Sequence, residues 1–154
     1  MQTMNGKDAL SASLAECYVT IEDKRYNFMQ AINLEAKVEK TKSEVPILGR
    51  TGKGNKATGW KGTGSATFHY NTSIFRDLLA RYKDTGEDIY FDIQVTNEDS
   101  SSSAGRQTVI LKGCNVDGGI LTKFDAEYLD EDMDFTFEDF EIHEKFSVLP
   151  GMEC

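Results

Sequence analysis

Residues 31–70 read AINLEAKVEKTK (31–42), SEVPILGRTGKGNKATG (43–59) and WKGTGSATFHY (60–70), and these three segments decide the fold. In the first, Ile32, Leu34, Ala36 and Val38 alternate with Asn33, Glu35, Lys37 and Glu39. A period of two sends successive side chains to opposite faces, so the segment predicts a long strand with one dry face and one wet face. In the third, Ala66, Phe68 and Tyr70 share a face, and the glycines among them allow bending or close backbone approach. The middle segment holds Pro46, Gly49, Gly52, Gly54 and Gly59 and no apolar periodicity after Leu48, which predicts a long mobile loop over 43–59. Loops of that length in compact domains are functional or disordered. From Lys40 to Lys61 the stretch carries six basic residues (Lys40, Lys42, Arg50, Lys53, Lys56, Lys61) against one acid, Glu44. A large hairpin with a basic, glycine-rich tip follows.

Strand signals also dominate on either side. A polar arm over 1–13 leads into LAECYVTIEDKRYNFMQ, a hairpin that turns at Glu22–Lys24. TSIFRDLLARYKDTG predicts the one helix: Thr72 or Ser73 caps it, Ile74, Phe75, Leu78, Leu79 and Tyr82 form its apolar stripe, and Gly86 ends it. Ile89, Phe91, Ile93 and Val95 alternate in the next strand, which turns at NEDSSSSAG into RQTVILKGC. Ile120, Thr122, Phe124 and Ala126, then Met133, Phe135 and Phe137, continue the alternation. The expectation is a single mainly β domain over 1–154, seven or eight strands in a sandwich or barrel with one flanking helix and a long protruding hairpin loop.

The chain of 154 residues suits one core of ordinary size. No apolar run approaches the roughly 18 residues that a membrane span needs, and the N-terminus lacks the pattern of a secretory signal, so a cytoplasmic site of synthesis and folding is expected. Cys17, Cys114 and Cys154 are far apart and form no CxxC or Cys/His cluster, so reduced thiols are expected rather than a disulfide framework or a zinc site. The net charge of −9 argues against a protein that grips nucleic acid phosphates. That charge is unevenly spread: residues 1–85 hold 13 basic and 9 acidic side chains, residues 86–154 hold 4 and 17. Such halves neutralise each other within one fold or meet head to tail between copies, a heterologous contact that builds rings or stacks.

Motif readings fail one by one. In GRTGKGNKATG, Gly49 and Gly54 have the spacing of a phosphate-binding loop, but Asn55 stands where lysine is required. DEDMDFTFEDFE places Asp130, Asp132, Asp134 and Glu141 at calcium-loop positions, yet Phe135 replaces the turn glycine and the segment alternates as a strand. His69 and His143 have no recognisable catalytic partner, and no nucleophile elbow or HExxH occurs. No enzyme, cofactor or metal is expected. Trp60 reads first as a packing anchor for the base of the loop and second as an interface residue.

The polar arm, the hairpin with its basic tip, the capped helix and the acidic C-terminal strands together resemble the tail-tube subunit family typified by the contractile tail of the PBSX-like defective prophage, which includes the tubes of R-type bacteriocins. The likeness is densest over LEAKVEKTKSEVPILGRTGKGNKATGWKGTGSATFHYNTSIFR. The resemblance implies a structural subunit that forms stacked six-membered rings inside a sheath, in a phage or bacteriocin particle assembled in the cytoplasm and released by lysis. Sheath, tape-measure and baseplate proteins are the implied partners, and DNA traverses the lumen only in a true phage. Under it, Asn33, Glu35, Lys37 and Glu39 are expected to face the lumen, and Arg50, Lys53, Lys56 and Trp60 to touch a neighbouring subunit or ring. A type VI-like secretion tube and a monomeric β-barrel that binds a small molecule are the alternative readings, with a carboxylate-using hydrolase behind them.

Overall fold

The computed structural model describes residues 2–11 and 14–153. Of the expected N-terminal arm, Met1, Ala12 and Ser13 lie outside the described residues, as does Cys154. Eight strands and one α-helix follow one another: β1 (Glu16–Ile21), β2 (Lys24–Asn27), β3 (Ala31–Val45), β4 (Gly54–His69), α1 (Ile74–Thr85), β5 (Phe91–Glu98), β6 (Arg106–Gly118), β7 (Asp130–Phe137) and β8 (Asp139–Glu144). The residues fall into two compact units, one built from 1–31, 90–114 and 139–154, the other from 32–89 and 115–138.

The first unit is an antiparallel sheet in the order β2-β1-β5-β6-β8, to which β6 gives its residues 106–114. The β1–β2 turn holds Glu22 and Asp23 at positive φ, the backbone a two-residue hairpin needs to match strand twist. Val19, Ile21, Phe91, Ile93 and Leu111 are buried, as the alternation requires. Thr96 and Thr108 sit opposite each other in register, and their buried hydroxyls pair at 3.1 Å, so neither is left unsatisfied. The N-terminal arm is docked rather than trailing: Asp8 is buried, its carboxylate accepts the Ser103 N–H at 2.8 Å, and its carbonyl accepts the Ser102 hydroxyl at 2.9 Å.

The second unit carries the sheet order β6-β7-β4-β3, with residues 115–118 of β6 at one end and β3 at the other. On β7 the alternation is strict: Glu131, Met133, Phe135 and Phe137 are buried while Asp130, Asp132, Asp134 and Thr136 are exposed. Gly62 and Gly64 lie opposite Phe137 and Phe135. A Cβ at either glycine would come within 2.3 Å of the facing ring, so the missing side chains make room for two aromatic rings. Helix α1 starts after Thr72, whose Oγ1 accepts the Ile74 N–H at 3.4 Å, while Ser73 occupies the cap position without a side-chain bond. It ends at Gly86, left-handed at φ +73°, whose N–H reaches the Tyr82 carbonyl at 2.8 Å. Phe75 is buried with its ring 5.6 Å from Phe68 of β4, whereas Tyr82, expected on the same stripe, is exposed.

Two expectations require correction. Residues 43–45 belong to β3 and 54–59 to β4, so the loop is 46–53 rather than 43–59. A ribbon whose faces are both wet needs no apolar alternation, and its backbone ladder continues where the periodic signal stops. The predicted strand through Ile120, Thr122, Phe124 and Ala126 is irregular chain, which leaves Leu121, Phe124 and Tyr128 projecting outward. Gly118 and Gly119 interrupt the alternation at that point.

Candidate functional site

The β3–β4 hairpin is the feature that a core does not explain. At about 3.3 Å per residue, its 15- and 16-residue strands extend roughly 50 Å. From residue 37 to residue 61 every side chain is exposed except the half-buried Gly54, so both faces of the distal ribbon are wet. The Thr58 hydroxyl ties the two strands by donating to the Thr41 carbonyl at 3.1 Å. Ion pairs Glu44–Lys53 (3.4 Å) and Glu39–Lys61 (3.8 Å) do the same, and both are too exposed to contribute more than about 1 kcal/mol each. Apolar residues are nonetheless on show: Val38, Val45, Ile47 and Trp60 are more than a third exposed, and Leu48 is wholly so.

Arg50 and Lys53 lie in the tip loop, while Lys56 and Trp60 lie on β4. Arg50 has no ion-pair partner among the described residues. The Trp60 ring stands 6.4 Å from that of Phe137, while almost half its surface stays in water. Ile47 folds back over Gly54, where a Cβ would lie 3.0 Å from its Cδ1, and Leu48 is left as the projecting apolar residue of the tip.

Asn33, Glu35, Lys37 and Glu39 are all exposed on one face of β3. The sheet brings that face together with Thr63 and Ser65 of β4, Asp134 of β7 and Asp117 of β6, and a polar groove runs between Glu35, Lys37 and these four. Thr67 donates to Asp132 on the same face at 2.7 Å. Asp130, Asp132 and Asp134 therefore form a solvated row along a strand, and a strand cannot wrap three carboxylates round one ion. Among the described residues no group of three or more His, Cys, Asp or Glu is placed to hold a metal.

Sequence reasoning missed the bond that pins α1 to the sheet. The Arg76 guanidinium meets Glu131 at 2.8 Å, with both side chains largely buried. It also donates to the carbonyls of Ile120 (3.2 Å) and Thr72, and lies 4.5 Å over the Tyr70 ring. Glu131 stands on the apolar parity of β7, an anomaly that signals a buried partner. The apolar loop residues Leu121, Phe124 and Tyr128 were also missed; the double glycine 118–119 was the only sign. Neither thiol among the described residues is an activated nucleophile: burial pushes Cys17 up to about 11, and burial with the nearby Asp92 charge pushes Cys114 up to about 12. No helix among the described residues is long and apolar enough to cross a membrane.

Comparison with known proteins supplies the context for this surface. The family profile described as "Phage tail tube protein" matches residues 2–144. The chain is 46% identical over 115 residues to the "Phage-like element PBSX protein XkdM" of Bacillus subtilis (strain 168), which covers 73% of this chain and 78% of that protein. Among solved structures, one in the baseplate of the anti-feeding prophage superposes with a TM-score of 0.63 at 13% identity, over 92% of this chain and 97% of the other. Another, in the extended sheath-tube complex of the extracellular contractile injection system PVC, has a TM-score of 0.61 at 9% identity, over 82% and 87%. At such identities these two likenesses establish a shared fold.

Proposed function

The chain belongs to the phage tail tube protein family, and from that premise we propose that it is the inner-tube subunit of a contractile phage tail or R-type bacteriocin, assembling into stacked six-membered rings. The observation that carries this reading is the β3–β4 ribbon, exposed on both faces over 37–61. An isolated two-stranded ribbon is marginal in water, and a 15-residue strand at a sheet's end presents a row of unpaired backbone groups. Neighbouring copies remove both liabilities by covering the ribbon's faces and continuing the sheet round a ring.

Under this reading Asn33, Glu35, Lys37 and Glu39 line the lumen with Asp134, and the mixed but acid-rich face keeps a passing polyanion from sticking. Arg50, Lys53, Lys56 and Trp60 contact the next subunit or ring, with the basic tip on an acidic surface. A sheath surrounds the tube; one structural neighbour is itself part of a sheath-tube complex. Tape-measure and baseplate proteins complete the particle, and its release is by lysis. The open strand order favours this reading over a monomeric ligand-binding barrel, because neither unit's sheet closes on itself to enclose a pocket.

The test is negative-stain electron microscopy of the purified chain over a range of concentration and salt, with light scattering for mass. Rings or hollow tubes are expected. Tip contacts made by charge should weaken as the screening length falls from about 10 Å at 0.1 M salt to about 3 Å at 1 M. A strict monomer under all conditions, including with a baseplate preparation as initiator, rejects the reading.

A further inference from the structure

We infer that the hairpin tip of one copy seats Leu48 and Arg50 in the groove between α1 and the end of β6 on another copy; this names the receptor for the tip and rests on the tube reading above. The groove is lined by the apolar side chains of Leu78, Leu79 and Tyr82 of α1, Ile89 and Val116, together with Asn115 and the carboxylates Asp88 and Asp117. Its volume is about 320 Å3. Neither of these two carboxylates has a cationic partner among the described residues; Asp88 accepts the Asn115 amide at 2.7 Å.

The tip is its chemical complement. Leu48 is fully exposed and is not used by the tip's own packing, because Ile47 folds inward over Gly54. Two residues on, Arg50 has no ion-pair partner among the described residues, and its backbone N–H is bonded to the Ile47 carbonyl at 3.2 Å, which fixes the turn that presents both side chains. An apolar knob beside an unpaired cation thus matches a groove that sets apolar side chains beside unpaired anions. Seating one in the other buries the knob and pairs the charges, whereas each surface alone leaves an apolar patch in water. The contact is heterologous, since knob and groove are different patches of one chain, and a heterologous contact propagates through rings or stacks instead of stopping at a dimer.

The experiment places one cysteine in each patch, Leu48→Cys and Tyr82→Cys, in full-length chain with Cys154→Ser. Cys17 and Cys114 are retained because they are partly or wholly buried. After assembly and brief oxidation with copper phenanthroline, the double variant should give a ladder of covalent multimers on a non-reducing gel, and each single variant should not. Hollow tubes without a ladder, or tubes in which the Tyr82→Cys thiol still reacts with a soluble maleimide, would overturn the inference: the tip then seats elsewhere and the groove is left for the sheath or another partner. If the unmodified chain forms no ring or tube at all, the tube reading itself fails and the receptor falls with it. Charge exchange gives an independent arm. Arg50→Glu and Asp117→Lys should each raise the critical concentration by about tenfold, and the combined variant should return to within about threefold of the parent. Circular dichroism confirms that each variant folds, and an additive effect in the combined variant would count against the pairing.

Discussion

Arg76→Met tests whether the buried ion pair is what fastens α1 to its sheet. The substitution keeps an unbranched side chain of similar reach and removes the charge, so Glu131, with its side chain only 7% exposed, loses its cation. It also strips the Ile120 and Thr72 carbonyls of a donor and the Tyr70 ring of its cation. Breaking a buried pair on one side costs about 3–5 kcal/mol, because the remaining charge is stranded. For a domain of this size each kcal/mol lowers Tm by about 2–4 °C, so a fall of roughly 6–20 °C is expected. Replacing both partners, Arg76→Met with Glu131→Leu, removes the stranded charge and should recover more than half of that loss. Urea unfolding of parent, both single variants and the double variant at pH 7 gives the cycle. A single Arg76→Met loss below about 1 kcal/mol, or a double variant no better than it, would refute the claim that desolvated charge dominates here.

Gly64→Ala should cost about 1–3 kcal/mol, since the added methyl meets the fully buried Phe135 ring; a neutral result in the same urea assay would mean that the ring can move aside. Asp99 is held below the usual carboxylate range by the Ser101 hydroxyl and by the backbone N–H groups of Ser11 and Ser101. A lowered folded value gives stability that is complete above the unfolded value, near 3.9, and is lost as pH falls through the folded one. The stability gap between parent and Asp99→Asn should therefore be constant from pH 7 to about 5 and close as the solution is acidified below about 4; a gap independent of pH would exclude the linkage. Glu35→Lys lies on the exposed face of β3 and should shift Tm by less than about 2 °C; under the tube reading proposed above it should also leave rings intact and change only what passes through them, and loss of folding would refute its place on a solvated face.

The hairpin, the capped helix and β1, β2, β5, β6 and β7 were legible because each relies on local chemistry: alternation where one face is buried, a hydroxyl before Ile74, a glycine after Thr85; β8, exposed along its whole length, gave no such signal. Legibility failed in two directions. Where both faces are wet, as over 43–45 and 54–59, alternation vanishes and a strand looks like a loop. Where an alternating run has no partner strand, as over 120–126, it looks like a strand and is none. Of the candidate surface, the exposure of Asn33, Glu35, Lys37 and Glu39 was readable from the alternation and the basic tip from composition, whereas the dry face expected opposite them is not buried within the chain, Ile32 and Val38 being exposed.

What the sequence determined alone is therefore the mainly β class, the single helix, the basic hairpin and the family, all of which depend on patterns within a few tens of residues. Only the tertiary structure decided that Leu48 is fully exposed while Ile47 lies against Gly54, that Arg76 answers the buried Glu131, and that α1 and the end of β6 line a groove that also holds Asp88 and Asp117. The last two are pairings between residues far apart in the chain. Spacing cannot encode them, because they exist only once strand register and helix placement bring the side chains together.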